Sequence, residues 1–184
     1  MLSFKAKVKK RDNVYISGTN SQGKQLVFWE KNFLGKILGY FGINERLDNI
    51  TGRVTHTLKV SNMVVNSGLA GCAARVYDDA VVKKFNVLAL GIGTTAAAVG
   101  QTALVSEITT GGGEKGTATM SRSTTAVTND TTNWSKTFTF TSSFAVTECA
   151  ILNADSIMLA RVVFPALNVL NGYSLIFNWN IDNA

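Results

Sequence analysis

The clearest pattern along the chain is alternation. In YSLIFNWNI (173–181), Tyr173, Leu175, Phe177, Trp179 and Ile181 fall on one face, and Ser174, Asn178 and Asn180 on the other. In WSKTFTFTS (134–142), Trp134, Phe138 and Phe140 alternate with Ser135, Thr137 and Thr139. A period of two with one apolar face predicts half-buried antiparallel strands. FNVLAL (85–90), VTECAIL (146–152) and SIMLARVVF (156–164) predict further strands, and TATMSRSTTAV (117–127) a polar one. Turn compositions separate them: GIGTT (91–95), TTGGGEKG (109–116) before the polar strand, and NDTTN (129–133) after it. TALVSEI (102–108) follows a stretch of small residues.

The front of the chain is less regular. Phe4, Ala6 and Val8 alternate with Lys5, Lys7 and Lys9, which predicts an extended arm with one basic face. SGTNSQGK (17–24) reads as a turn leading to QLVFW (25–29), a second short strand, so residues 1–30 suggest an arm with a hairpin. Over 31–50, Phe33, Leu34, Ile37, Leu38 and Phe41 have helical spacing, but Gly35, Gly39 and Gly42 each weaken a helix by about 1 kcal/mol. A short helix and a loop with buried aromatics both remain open there. Alternation returns from Arg53 to Val60. A helix is expected to about Tyr77, capped by Asn66 or Ser67.

Together these elements predict a mainly β chain: an antiparallel β-sandwich or jelly-roll-like domain over 61–184, one or two short helices, and an N-terminal arm and hairpin region over 1–60. Composition agrees. Charged residues make up 16% of the 184, below the usual quarter, and Thr, Ser, Asn and Gly fill the difference. The single proline, Pro165, is expected at a strand end, where no backbone donor is needed.

Charge is unevenly placed. Residues 1–84 hold 14 Lys or Arg against 6 acids (+8), and residues 85–184 hold 4 against 6 (−2). A basic front half suits an acidic partner or plain solubility. Lys5, Lys7, Lys9, Lys10 and Arg11 are the candidate contact residues. With only Phe4 and Tyr15 interleaved, they do not make a stacking platform, so an acidic protein surface is favoured over nucleic acid.

Candidate chemistry is sparse. His56 is the sole histidine, and neither Cys72 nor Cys149 lies in a nucleophile motif, so no catalytic triad and no zinc site is expected. Both cysteines read as reduced and buried, which suits a reducing cytoplasm. Gly91 and Gly93 follow a strand but lack the third glycine of a dinucleotide turn, and 111–116 lacks phosphate-loop spacing and reads as a flexible hairpin tip. The acids of the back half are scattered. Glu148, on an apolar strand, is expected to pair with Arg161 of the neighbouring strand, because an unpaired buried carboxylate is costly. No catalytic, cofactor or metal site is expected. The start, MLSFKAKVKKRD, lacks the apolar run of a signal peptide, and no run is long enough to cross a membrane.

Against this background the later segments have a family likeness. ALGIGTTAAAVGQTALVSEI (89–108), NWSKTFTFTSSFAVTECAILNADS (133–156) and MLARVVFPALNVLNGYSLIFNWNI (158–181), with NMVVNSGLAG (62–71) upstream, resemble a recurrent module of tailed-phage virion proteins. The resemblance covers about residues 60–182 and leaves the first 60 outside it. It implies a β-sandwich in a homo-oligomer, often a trimer; the physical reading of the module makes Trp134 and Trp179 core anchors and lets Gly91 and Gly93 form a sharp turn. Such modules occur in capsid decoration, head-fibre and some tail proteins; the leading expectation is a capsid decoration (cement) protein that binds the major capsid protein or other virion proteins in the phage head after assembly in the host cytoplasm. The alternative is a tail, baseplate or head-fibre protein with a host- or glycan-facing surface. Rival classes are a carbohydrate-binding module or hydrolase, which requires exposed aromatics or close carboxylates in a cleft, and an internal DNA-contacting protein.

Overall fold

The computed structural model describes residues 13–31, 52–55, 57–77 and 81–182. Lys5, Lys7, Lys9, Lys10, Arg11 and His56, and the 32–51 segment, lie outside them. The described chain is mainly β with one helix. In order come β1 (Asn13–Thr19), β2 (Phe28–Lys31), β3 (Gly52–Thr55), β4 (Leu58–Ser61), β5 (Met63–Val64), α1 (Asn66–Val76), β6 (Val87–Gly91), β7 (Gly116–Thr117), β8 (Thr119–Ser123), β9 (Thr131–Thr139), β10 (Phe144–Leu152), β11 (Met158–Val169) and β12 (Ser174–Asp182).

They form two five-stranded antiparallel sheets, ordered β4-β1-β12-β9-β8 and β5-β11-β10-β6-β7, and a separate β2-β3 pair. Residues 13–19 and 58–61 are therefore strands of the same sheet as β12. One hydrophobic cluster joins the sheets: Ile16, Trp134, Phe138 and Trp179 of the first meet Leu90, Cys149, Ile151 and Phe164 of the second. The alternation of β12 places Leu175, Phe177, Trp179 and Ile181 in this core, while Asn178 is exposed. Phe177 meets Phe138 edge-on at 5.8 Å and Phe164 at a tilt at 5.9 Å.

Several expectations need correction. The turn after β1 forms, with Asn20 Oδ1 accepting from the Gln22 and Lys24 N–H groups. The chain returns along β1 through a Thr19–Gln25 bridge and Leu26 N–H to Gly18 O at 2.8 Å, but the strand proper starts at Phe28 and pairs with β3. The polar strand stops at Ser123. Asp130 accepts from the backbone N–H of Thr125, Ala126 and Val127, and Asn129 sits at φ 61°, so 124–130 is a tight loop and β9 begins at Thr131. Pro165 does not end its strand: β11 runs through it to Val169. From the Val146/Leu167 pair to the Glu148/Val163 pair, β10 advances fewer residues than β11, and exposed Pro165 occupies the resulting bulge, where its missing donor costs nothing. The glycine run is not a loose hairpin tip either. Gly112, at φ +85°, packs where a side chain would strike the Thr139 carbonyl, and Gly111 O accepts from Thr141 N at 2.8 Å.

Candidate interaction surface

The core-facing side of β6 is Leu88 and Leu90, so Ala89 and Gly91 point away from the first sheet. On that outer side Ala89 lies opposite Ala150, and both join Val65, Leu152 and Met158 in a second apolar cluster. Residues 92–108 cross this face. They are fastened to β6 by Ile108 N–H to Leu90 O at 2.8 Å and by a Gly91–Glu107 bridge, and the loop closes on itself by Ile92 N–H to Ser106 O at 2.8 Å. Apart from that bridge, TALVSEI forms no strand.

Beneath the loop lies an ion pair between Glu148 of β10 and Arg161 of β11, each fully buried. Glu148 Oε2 accepts from Arg161 Nε at 2.8 Å and pairs with Nη2 at 2.7 Å. The carboxylate also reaches the loop. Oε1 accepts from Gly93 N at 3.0 Å and Ser106 N at 2.8 Å, and Oε2 from Val105 N at 3.2 Å. Arg161 completes the clamp by donating Nη1 to Gln101 Oε1 at 2.8 Å and Nη2 to Thr95 O at 3.0 Å. Thr147 Oγ1 donates to Gly93 O at 2.8 Å. Burying two charges is costly unless the remaining donors and acceptors are used; here they are spent on loop backbone.

The clamp explains Gly91 and Gly93. Neither has a positive φ, so the expected sharp turn is not their reason. A Cβ on either would stand 2.5 Å from Glu148 Oε1. The glycines let the backbone close on the carboxylate.

What the loop presents outward is apolar and neutral. From Gly91 to Ser106 no side chain is charged. Ile92, Val99 and Val105 are 45%, 53% and 51% exposed. Loop and helix are joined by Asn66 N–H to Val99 O at 2.8 Å. This bond also corrects the expected cap: Val65 is the N-cap, without a side-chain cap bond, and Ser67 Oγ donates instead to Met158 O. Gly68 packs α1 directly onto the Leu159 backbone, leaving Leu69, Ala73 and Val76 outward.

The remaining candidates separate. The Glu148–Arg161 pair is where the strand pattern put it. Trp179 is fully buried, and Trp134 is 4% exposed with Nε1 donating to Phe85 O at 2.6 Å. One edge of Trp134 lines a cleft of about 290 Å³ with Phe85, Leu159, Leu69 and Met120, whose lining holds Arg75 and Lys84 and no carboxylate. Cys149 is buried as expected, but Cys72 is exposed on α1; neither is in a disulfide. Other acids of the back half have separate contacts: Asp155 with Lys83 at 2.6 Å, Glu107 with Lys115 at 3.6 Å, and Glu114 Oε1 with Gly112 N at 3.2 Å. Among the described residues no group of three or more His, Cys, Asp or Glu could hold a metal, and no helix is long and apolar enough to cross a membrane. The loop surface itself was not anticipated. Its signal was a run without charge between Lys84 and Glu107 that holds three glycines, in a chain with one acid and one base on neighbouring apolar strands.

No family model, curated protein or solved structure matches this chain.

Proposed function

We propose that this chain is a non-enzymatic structural protein of a tailed-phage particle, acting as a capsid decoration (cement) protein that bridges neighbouring capsid subunits. Its two sheets are read as a β-sandwich of jelly-roll type, associating as a homo-oligomer, with a trimer favoured by the family resemblance. The observation that carries the reading is the clamped loop. A neutral apolar surface is held on a stiff body by the buried Glu148–Arg161 pair and its bonds to Gly93, Val105 and Ser106. A rigid surface loses little conformational freedom on docking, so more of its contact area goes into adhesion. Such a surface suits a lattice seam. The basic residues Lys5, Lys7, Lys9, Lys10 and Arg11 supply the complementary polar contact, reaching an acidic surface of the major capsid protein or another virion protein. Added buried area and ion pairs across seams would resist expansion of the shell.

The test is co-sedimentation of the purified protein with undecorated capsids. Saturable occupancy is expected, reduced by deleting residues 1–12 and by Val99→Glu in the loop. Occupancy unchanged by both would refute the assignment. Imaging a labelled protein in the particle distinguishes the head position from a tail, baseplate or head-fibre position, where the same neutral surface would join fibre subunits.

A further inference from the structure

The sheet β4-β1-β12-β9-β8 ends on β8, and among the described residues β8 pairs with β9 alone. All five of its residues, Thr119–Ser123, are exposed. A strand paired on one side carries a row of outward N–H and C=O groups able to receive another strand, and proteins usually blunt such an edge with proline, a bulge or inward charge. β8 has no proline, and its register with β9 is unbroken from Thr119/Ser135 to Ser123/Thr131. Its one charge, Arg122, lies on the core side but is exposed at the rim, where it repels a basic strand and attracts an acidic one.

The face beside this edge is prepared as well. Met120 lies opposite Trp134 and Arg122 opposite Thr132, so Met120 and Arg122 share the side of the sheet that holds the core one strand further in. Met120 is 41% exposed there, over the cleft of about 290 Å³ floored by Phe85, Trp134 and Leu159. The cleft lining contributes two cations, Arg75 and Lys84, both exposed. Arg75 spends one N–H on Val82 O at 3.1 Å, which fixes its guanidinium with other donors remaining. An open edge, an apolar socket and a basic rim thus adjoin on one side of the molecule.

We propose that β8 accepts an extended segment of a different polypeptide as a sixth strand, seating an apolar side chain in the cleft and a carboxylate against Arg75 and Lys84. Backbone bonds to the edge supply affinity, while alternate side chains entering the socket and meeting the rim supply selection. The charge chooses the partner. Residues 1–12 of a second copy carry Lys5, Lys7, Lys9, Lys10 and Arg11 and have the wrong sign for this rim. The rim therefore calls for an acidic segment, which the basic start of another copy cannot supply. This inference goes beyond the role proposed above and does not depend on it: failure to bind capsids would leave it intact.

The test is fluorescence anisotropy with the full chain and labelled peptides of about seven residues, a usual strand length. One peptide alternates leucine and threonine between terminal glutamates. A second replaces the glutamates with lysines, and a third places proline at its centre to break strand pairing. Saturable binding of the glutamate peptide is expected, at least about tenfold weaker for each of the others. In the surface double variant Arg75→Glu/Lys84→Glu, with its melting curve checked against the parent, the preference should reverse toward lysine. Absence of saturable binding up to about 1 mM would overturn the proposal. So would equal binding of the two charged peptides, or full binding of the proline peptide.

Discussion

Replacing Arg161 with methionine tests the clamp most directly. The change keeps a long apolar stem but leaves the fully buried Glu148 carboxylate with only the backbone donors of Gly93, Val105 and Ser106. It also removes the guanidinium bonds to Thr95 O and to Gln101 Oε1, which keeps only the Ala98 N–H. Breaking one side of a buried pair costs about 3–5 kcal/mol, a large part of the roughly 5–15 kcal/mol that holds a domain folded. Replacing both partners, as Glu148→Gln/Arg161→Met, removes the charge conflict, so the double variant should be less destabilised than the sum of the single ones. The coupling should lie within about 0.5–3 kcal/mol. Urea unfolding of the four proteins gives the cycle, and amide hydrogen exchange reports the loop. Exchange at Gly93, Val105 and Ser106 should accelerate in Arg161→Met well before that of β12 amides. A single-variant loss below about 1 kcal/mol with unchanged exchange at those amides would refute the clamp.

Two further outcomes follow from the geometry. Burial pushes the Cys149 thiol well above its usual range, so a thiol reagent at mildly alkaline pH should modify exposed Cys72 in the native protein and reach Cys149 only after denaturation; two reactive thiols in the native state would contradict the packing of β10. Asp130 is held down from 3.8 to about 2 by the backbone N–H of Val127 first, with those of Ala126 and Thr125 adding to it. A lowered folded-state value means that its contribution to stability is fully present above pH 3.8 and is lost as pH falls through about 2; NMR titration of the carboxyl should show this, and an ordinary midpoint would count against the loop geometry.

The sheets were legible where one face is wet. β9 and β12 announce themselves because Ser135, Thr139 and Asn178 interrupt their apolar residues at every second place. β10 reads differently, as a near-continuous apolar run, because the loop covers its outer side and both faces are buried. The Glu148–Arg161 pair was legible through cost: two lone charges on adjacent apolar strands have no cheaper arrangement. What they hold was not. The bonds from the pair to the loop span 42 to 66 residues of sequence, and small neutral residues without a period carry no local trace of such contacts. The helix cap failed for the same reason. Ser67 has the right chemistry, but Met158 engages its hydroxyl from afar. The pairing of β2 with β3 was likewise hidden, since the turn at Asn20 announces only the local return of residues 25 and 26 along β1.

In the first sheet the final strand is the inner neighbour of the opening one: β12 lies between β1 and β9, matched to β1 from Asn13/Asn180 to Thr19/Ser174. Until β12 has left the ribosome, β1-β4 and β8-β9 are two disconnected ribbons with bare flanks. Folding of this sheet must therefore await β12 and close the long loop from β1 to it, which slows it and exposes sticky intermediates. A chain that stops before Ser174 would lose the keystone of this sheet and should yield aggregates and no usable fragment.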